Sequence, residues 1–154
     1  MMNLLATITS GSFKALVTSL SRARLGYVLA EPGPFTLLAP TDSAFFRATE
    51  FTDWQIANDI PTLKAMLACH IIPGIWPAAL LVRQRSLRSF CGETIEINFE
   101  KVIQVGGARI IRPDLFASNG IIHIVDDIVL PRAAQIAENP AWSREARTLS
   151  REAF

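Results

Sequence analysis

The chain has 154 residues, of which half are apolar and 19% are charged, and its 15 basic side chains are balanced by 14 acidic ones. This length and composition are typical of one folded globular domain and exclude a disordered chain. The balanced charge argues against nucleic acid as the main partner, because no excess of positive charge is available to neutralise a phosphate backbone. No apolar run reaches the roughly 18–20 residues that would span a bilayer.

Helices dominate the predicted elements of the first half of the chain. Asn3 and Ser12 stand where their side-chain oxygens could cap helices, and Pro61 suits the first turn of a helix. The apolar residues that follow recur at helical spacing. The predicted helices cover residues 4–9, 13–24, 27–30, 44–46, 52–56, 62–69 and 78–82.

Strands dominate the second half, after one early strand that Pro40 stops. Glycine-containing segments at 91–93 and 106–107 are interpreted as hairpin connections. The predicted strands cover residues 35–39, 70–72, 85–90, 94–99, 102–105, 108–111 and 121–129. Because helices and antiparallel strands are segregated along the chain, their order predicts an α+β fold rather than a doubly wound parallel sheet.

The Asn119-Gly120 pair stands directly before a β-branched run. Both residue types tolerate positive φ, so the pair predicts a turn or a sharp kink in the backbone. The run 121–129 is almost continuously Ile and Val, which is typical of a buried strand.

A single domain over residues 3–137 accounts for these elements, and residues 138–154 form a separate tail. In the tail, Trp142, Ala146 and Leu149 recur at helical spacing among Arg and Glu. The pattern favours a short amphipathic helix, which could dock its Trp on the domain, fray, or contact another subunit.

The histidines and cysteines are natural candidates for chemistry. A metal site formed by His70, His123, Cys69 and Asp126 would need four converging ligands. Cys69 and His70 are neighbours in an extended segment, so their side chains point to opposite faces. We therefore expect both histidines to be hydrogen-bonded core residues, with no metal and no cofactor. No disulfide between Cys69 and Cys91 is expected, and Cys69 is interpreted as a small buried apolar side chain.

The same residues do not predict an enzyme. A cysteine nucleophile would need a base within hydrogen-bond reach, and the sequence indicates none. Asp126 and Asp127 are strand neighbours whose side chains diverge, and no glycine-rich phosphate loop is present. An enzyme with a site near His70 or His123 is the least favoured alternative.

Thr41 and Asp42 open the helical stretch that follows Pro40. Their oxygens could serve a functional site, but the spacing favours caps that accept the N–H groups of the turn at Ala44.

Three sequence blocks, in this order, resemble the signatures of the fasciclin domain family. The family has a strand followed by Ala-Pro-Thr-Asp-x-Ala-Phe, a Tyr-His-Val-Val-Pro-Gly block and an Asn-Gly-Val-Ile-His-Val-Ile-Asp block, preceded by Gly-Ser-Phe-x-x-Leu. The corresponding segments of this chain are GPFTLLAPTDSAF (33–45), LACHIIPG (67–74), NGIIHIVDDIVLP (119–131) and GSFKAL (11–16). Cys69 stands where the family usually has Tyr, which removes a phenolic hydrogen-bonding group beside His70.

The resemblance implies a fold, a wedge-shaped antiparallel β-sandwich with several packed helices. It also implies a structural role for His70, which would tie the signature blocks together by hydrogen bonding. Asn119, Gly120 and His123 are interpreted as structural residues of the same kind.

The function that the resemblance implies is a non-catalytic module for adhesion or protein–protein contact, of a single-domain microbial type. Pro113-Asp114-Leu115 resembles the Pro-Asp-Ile motif that fasciclin domains of animal matrix proteins are thought to use for integrin binding. An exposed carboxylate beside an apolar anchor suits recognition. The alternative is a turn in which Asp114 binds nearby backbone N–H groups and Leu115 fills the core.

The expected partner is a protein or a cell-surface receptor, and the expected state is a monomer or a weak homo-oligomer. By resemblance the domain is secreted or at the cell surface. The first residues lack the basic segment and long apolar run of a signal peptide. That absence, with the amphipathic tail, favours the alternative of a cytoplasmic scaffold or oligomerising protein.

Overall fold

The computed structural model describes residues 2–51, 60–90 and 92–129. Its α-helices are α1 (Leu4–Ser10), α2 (Lys14–Arg22), α3 (Asp42–Phe51), α4 (Ile60–Ala68) and α5 (Ala78–Leu81), and a 3₁₀ helix covers Gly26–Ala30. Its strands are β1 (Phe35–Pro40), β2 (Ile71–Pro73), β3 (Ser86–Arg88), β4 (Thr94–Phe99), β5 (Ile103–Val105), β6 (Ala108–Ala117) and β7 (Gly120–Val125). The predicted helix at 52–56, residue Cys91 and the predicted tail at 138–154 lie outside the described residues.

The seven strands form one sheet in the order β2-β1-β7-β6-β5-β4-β3. Neighbouring strands run antiparallel except β1 and β7, which are parallel with Leu37 opposite Ile122. The Phe90 N–H, just after β3, donates to the Ile71 carbonyl of β2 at 2.7 Å. The sheet therefore curls until its two ends meet, which leaves room for side chains between its halves.

Alternate residues of the central strands enter two separate cores, as the period of a strand requires. Leu37, Ile71 and Ile122 pack with the helices, and Leu38, Ile72 and Val125 pack with β4, β5 and β6. The second core has the layered arrangement of a sandwich. The α+β class is confirmed, with one parallel strand pair as the departure from a purely antiparallel sheet.

The largest differences from the sequence-based expectation lie at the ends of β6 and β7. β6 continues through Pro113 to Ala117 instead of ending at Ile111, because irregularities in its pairing accommodate the proline. β7 ends at Val125 rather than at residue 129. There the Asp127 carboxylate accepts the Ile128 N–H at 2.7 Å and turns the chain away from the sheet.

Cys69 is buried at the end of α4, as the sequence predicts. Its thiol donates to the Ala65 carbonyl at 3.3 Å, a bond within the last turn of the helix. Within the described residues, no helix combines the length and the apolar character needed to cross a membrane.

Thr41 and Asp42 cap two different helices. Thr41 Oγ1 accepts the Ala44 N–H of α3 at 3.1 Å. Asp42 Oδ1 instead accepts the Ala15 N–H at 2.9 Å, in the first turn of α2, whose own N-cap residue Phe13 provides no side-chain bond. The expectation that both oxygens serve the Ala44 turn was wrong for Asp42, because its carboxylate accepts from Ala15, which lies 27 residues away in sequence on another helix.

We expect Asp42→Ala to lower the free energy of unfolding by about 0.5–2 kcal/mol, since it leaves one helix N-terminus without its capping acceptor. Urea denaturation of the variant measures this loss. Asp42→Asn keeps an acceptor oxygen and is expected to retain most of the stability. An unchanged midpoint for Asp42→Ala would show that the Ala15 bond contributes nothing.

Candidate binding surface at the bulge of strand β6

The second half of β6 is bulged, although it stays paired with β7 as far as Ala117. Its pairing with β7 shifts register between Ile110 and Arg112 and again between Arg112 and Leu115. Each shift places an extra residue on β6, and such bulges re-aim side chains at the edges of sites. Asp114 lies at the bend with φ of 61°, in the left-handed region that Asp tolerates better than most residues.

The Asp114 carboxylate holds the bulge against the short helix α5. Its Oδ1 accepts the Ala78 N–H at 2.9 Å and so caps the first turn of that helix. No side chain caps α5 at its own N-cap residue, Pro77. One acidic side chain thus fixes both the bend of β6 and the start of α5.

His123 lies beneath the bulge and is fully buried. Its Nδ1 accepts the Asp114 N–H at 3.1 Å, and its Nε2 donates to the Trp76 carbonyl at 2.7 Å. These two bonds require a neutral ring protonated on Nε2. Burial lowers the pKa of His123, which favours the same neutral form, while the bond to Trp76 and the nearby Asp114 charge oppose that shift.

The residues around this bend present a mixed surface to solvent. Ile111 and Phe116 are 55% and 59% exposed. Arg112, Pro113 and Asp114 are exposed between them, whereas Leu115 packs against the helical core. We call the exposed set the bulge surface. It consists of Ile111, Arg112, Pro113, Asp114 and Phe116.

The structure thus separates the three residues singled out as a binding motif. Pro113 and Asp114 lie on the bulge surface, but Leu115 faces inward. The Asp114 carboxylate already binds a backbone N–H, which is one feature of the turn interpretation. Sequence reasoning missed Phe116 and Ile111, and their apolar character within an otherwise exposed stretch is the signal that could have found them.

Asn119 joins four distant parts of the fold. Its Oδ1 accepts the Leu4 N–H at 2.8 Å, and its Nδ2 donates to the carbonyls of Leu29 at 2.8 Å and Glu31 at 2.6 Å. Its own carbonyl accepts the Phe35 N–H at 3.0 Å. The side chain is buried and makes three of these bonds, so Asn119 organises the structure and is not available to a ligand.

Gly120 is required by close packing rather than by its φ angle. The chain does turn at 118–119, as predicted, but neither Asn119 nor Gly120 has positive φ. A Cβ atom on Gly120 would instead lie 1.9 Å from the Phe35 carbonyl oxygen. The interpretation of this pair through positive φ was wrong, because β1 passes too near for any side chain at Gly120.

His70 ties the second signature block to the end of the third. Its Nδ1 donates to the Met66 carbonyl at 2.9 Å, and its Nε2 accepts the Val129 N–H at 2.9 Å. Complete burial lowers the pKa of His70 to about 4, with the Met66 bond and the Asp127 charge acting in the opposite direction. The ring is therefore neutral at pH 7.

Within the described ranges, no group of three or more His, Cys, Asp or Glu side chains could hold a metal ion. Both ring nitrogens of His70 and of His123 bind backbone groups, so neither ring has a nitrogen available as a base. Asp126 accepts the Arg109 N–H at 2.9 Å and forms an ion pair with the Arg109 guanidinium at 2.8 Å.

Comparison with known proteins gives consistent matches. The family profile described as Fasciclin domain matches residues 11–131. An uncharacterised protein of Synechocystis is 37% identical over 123 residues, which is 80% of this chain and 92% of that protein. The pig (Sus scrofa) transforming growth factor-beta-induced protein ig-h3 is 30% identical over 80% of this chain, which spans only 18% of the pig protein.

A solved structure shows the same fold. A pair of FAS1 domains from the insect cell adhesion molecule Fasciclin I superimposes with a TM-score of 0.69, covering 84% of this chain and 51% of that one. Its sequence identity is 19%, so this likeness concerns the fold alone.

Proposed function

This chain belongs to the fasciclin domain family, and on that basis we propose that it is a non-catalytic adhesion or protein–protein interaction module that binds its partner through the bulge surface. The observation that carries the proposal is the exposure of Ile111 and Phe116 on either side of two exposed charges, Arg112 and Asp114. Aromatic and Arg side chains are the residues that contribute most to protein interfaces.

The rigidity of the bulge supports this assignment. Asp114 is fixed through its backbone by His123 and through its side chain by α5. A surface that is already ordered loses little conformational entropy on binding, so its contacts convert into affinity more efficiently. The exposed side chains of the bulge surface therefore project from a backbone that is already ordered before a partner binds.

The polar chemistry supports a binding module over an enzyme. The two histidines are neutral and have both nitrogens engaged by the backbone, and the Asp126 carboxylate is engaged by Arg109. A general base needs a free nitrogen or oxygen at a substrate. Neither His70 nor His123 has such a nitrogen, because backbone groups engage both nitrogens of each ring.

The proposed setting is the cell surface or the exterior of the cell, with a protein or receptor as the partner. It is supported by the membership of the chain in the fasciclin domain family. The chain spans 18% of ig-h3 and 13% of human periostin, so it corresponds to one part of these larger proteins.

We expect surfaces coated with the purified chain to retain more cells than albumin-coated surfaces, and Phe116→Ser to reduce the attached number several-fold. The attached cells are counted after washing. Synechocystis cells and cultured mammalian fibroblasts are both used, because relatives of this chain come from Synechocystis and from mammals. The matched control is Phe99→Ser, since Phe99 is 55% exposed at the β4–β5 end and lies outside the bulge surface.

Asp114→Asn tests the charge separately from the fold. The amide oxygen can still accept the Ala78 N–H, and Asn tolerates the left-handed backbone, so the variant should unfold at the wild-type urea concentration. Reduced attachment at unchanged stability would support recognition by the carboxylate. Equal attachment of wild type, Phe116→Ser and Phe99→Ser, or no attachment above albumin, would contradict the proposed surface.

A further inference from the structure

A second surface lies between α1, α2 and the 3₁₀ helix, and it shares no residue with the bulge surface. It is an open groove of about 350 Å³. Leu5, Val17 and Leu20 supply its apolar part, and Ser21, Arg24 and Tyr27 supply its polar part. Tyr27 is 61% exposed and lies among the residues that line the groove.

Arg24 occupies a backbone position at which glycine is the usual residue. The Leu25 N–H donates to the Leu20 carbonyl at 2.9 Å and the Arg24 N–H to the Ser21 carbonyl at 3.2 Å, the two bonds of a Schellman motif that ends α2. The residue at this position adopts the left-handed conformation, and Arg24 has φ of 58°. A long side chain there carries a steric cost that glycine would avoid.

Within the described residues, no hydrogen bond or ion pair of the Arg24 side chain offsets this steric cost. Asp114, the other non-glycine residue with positive φ in this part of the chain, binds His123 through its N–H and Ala78 through its carboxylate. Arg24 forms no ion pair with any described residue, and it is one of the residues that line the groove. Strained residues of this kind concentrate at functional sites.

We propose that this groove binds a helical segment of a partner protein that presents leucine-like side chains next to a carboxylate. The apolar side chains would lie against Leu5, Val17 and Leu20, and the carboxylate would pair with Arg24, with the Tyr27 hydroxyl as a further donor. The charge selects the acid, because an unpaired guanidinium at a groove matches a carboxylate in a bidentate bond. The open shape selects a peptide over a small amphiphile, since small-molecule sites enclose most of the ligand surface.

The test uses two blocked amphipathic peptides with leucine at positions i, i+3, i+4 and i+7. One carries a single glutamate beside this stripe and the other carries glutamine. Titration of the ¹⁵N-labelled full chain is followed by amide chemical shifts. We expect saturable shifts at groove residues and an affinity for the glutamate peptide up to about fivefold higher than for the glutamine peptide, the range given by an exposed ion pair.

Arg24→Gly separates a binding role from a structural one. Glycine fits the left-handed position, so we expect the melting temperature to rise by about 2–4 °C while the preference for the glutamate peptide disappears. Arg22→Ala removes a neighbouring positive charge outside the groove and should keep that preference.

Three results would overturn the proposal. A lower melting temperature for Arg24→Gly would show that Arg24 stabilises the fold. Equal binding of both peptides, or no shift with either, would show that the groove does not recognise the acidic segment. Saturable binding of decanoate without any response to the peptides would assign the groove to a free acyl carboxylate instead. None of these results bears on the bulge surface, so the two proposals fail separately.

Discussion

Replacing Gly120 with alanine is expected to destabilise the domain by about 3 kcal/mol or more, although the change adds only one methyl group. The new Cβ would lie 1.9 Å from the Phe35 carbonyl oxygen and 3.0 Å from the Leu4 side chain. Backbone atoms cannot rotate away as a side chain can, so β1 and β7 would have to separate where Phe35 pairs with Gly120. Urea denaturation followed by circular dichroism measures the loss.

Gly26→Ala provides the matched control for Gly120→Ala. A Cβ on Gly26 would meet only the Leu5 side chain, at 3.8 Å, which is an ordinary contact. Gly26 does not have positive φ, and alanine restricts the unfolded chain, so this variant should be unchanged or stabilised by up to about 1 kcal/mol. Similar stabilities for the two variants would contradict the close-packing explanation, whereas failure of Gly120→Ala alone to fold would agree with it.

Acidification is expected to destabilise the domain between pH 6.5 and 4 through His70. Burial lowers the pKa of His70 from the usual 6.5 to about 4 in the folded state. Between these values the unfolded chain binds a proton that the folded chain does not, so stability falls as the pH falls. The contribution of His70 is fully present above pH 6.5, and about 3 kcal/mol of it is lost by pH 4. His123 acts in the same direction, because burial lowers its pKa as well.

The measurement is the free energy of unfolding in urea at several pH values between 7 and 4. His70→Gln keeps one donor and one acceptor for Met66 and Val129 but has no group that titrates in this range. We expect the wild-type curve to fall more steeply than the curve of this variant. Parallel curves would show that His70 does not control the acid sensitivity. The His123→Gln variant then measures how much of the pH dependence of the unfolding free energy comes from His123.

Some elements of this fold were predictable because they depend on neighbours in sequence. β4 spans Thr94–Phe99, the predicted range, because its alternating pattern is bounded by Gly92 and by the turn that follows. Asn3 Oδ1 accepts the Ala6 N–H at 2.8 Å, the predicted cap of α1. These features involve residues within one turn or one hairpin of each other.

The candidate binding surface was predictable only in outline. The sequence indicated an exposed Asp114 beside the apolar anchor Leu115 as a recognition unit, and of these two residues only Asp114 is exposed. A core-facing Leu115 belonged to the alternative turn interpretation, and Leu115 does pack against the helical core. The register shifts of β6 were not predictable, because a bulge changes which side chains of a strand point outward and no local pattern marks it. The Ala78 partner of Asp114 lies 36 residues away, beyond any local rule.

The sequence by itself determined the fold class, most element positions and the family, because apolar spacing and the ordered signature blocks are properties of the chain read in one dimension. The tertiary structure alone decided what the polar residues do. Asn119 binds Leu4 across 115 positions, and Asp42 caps a helix 27 positions away. At position 120 only glycine fits, because the Phe35 carbonyl occupies the place of a side chain. A hydrogen bond or a steric contact depends on distances of a few ångströms, and only the packing of distant segments sets those distances.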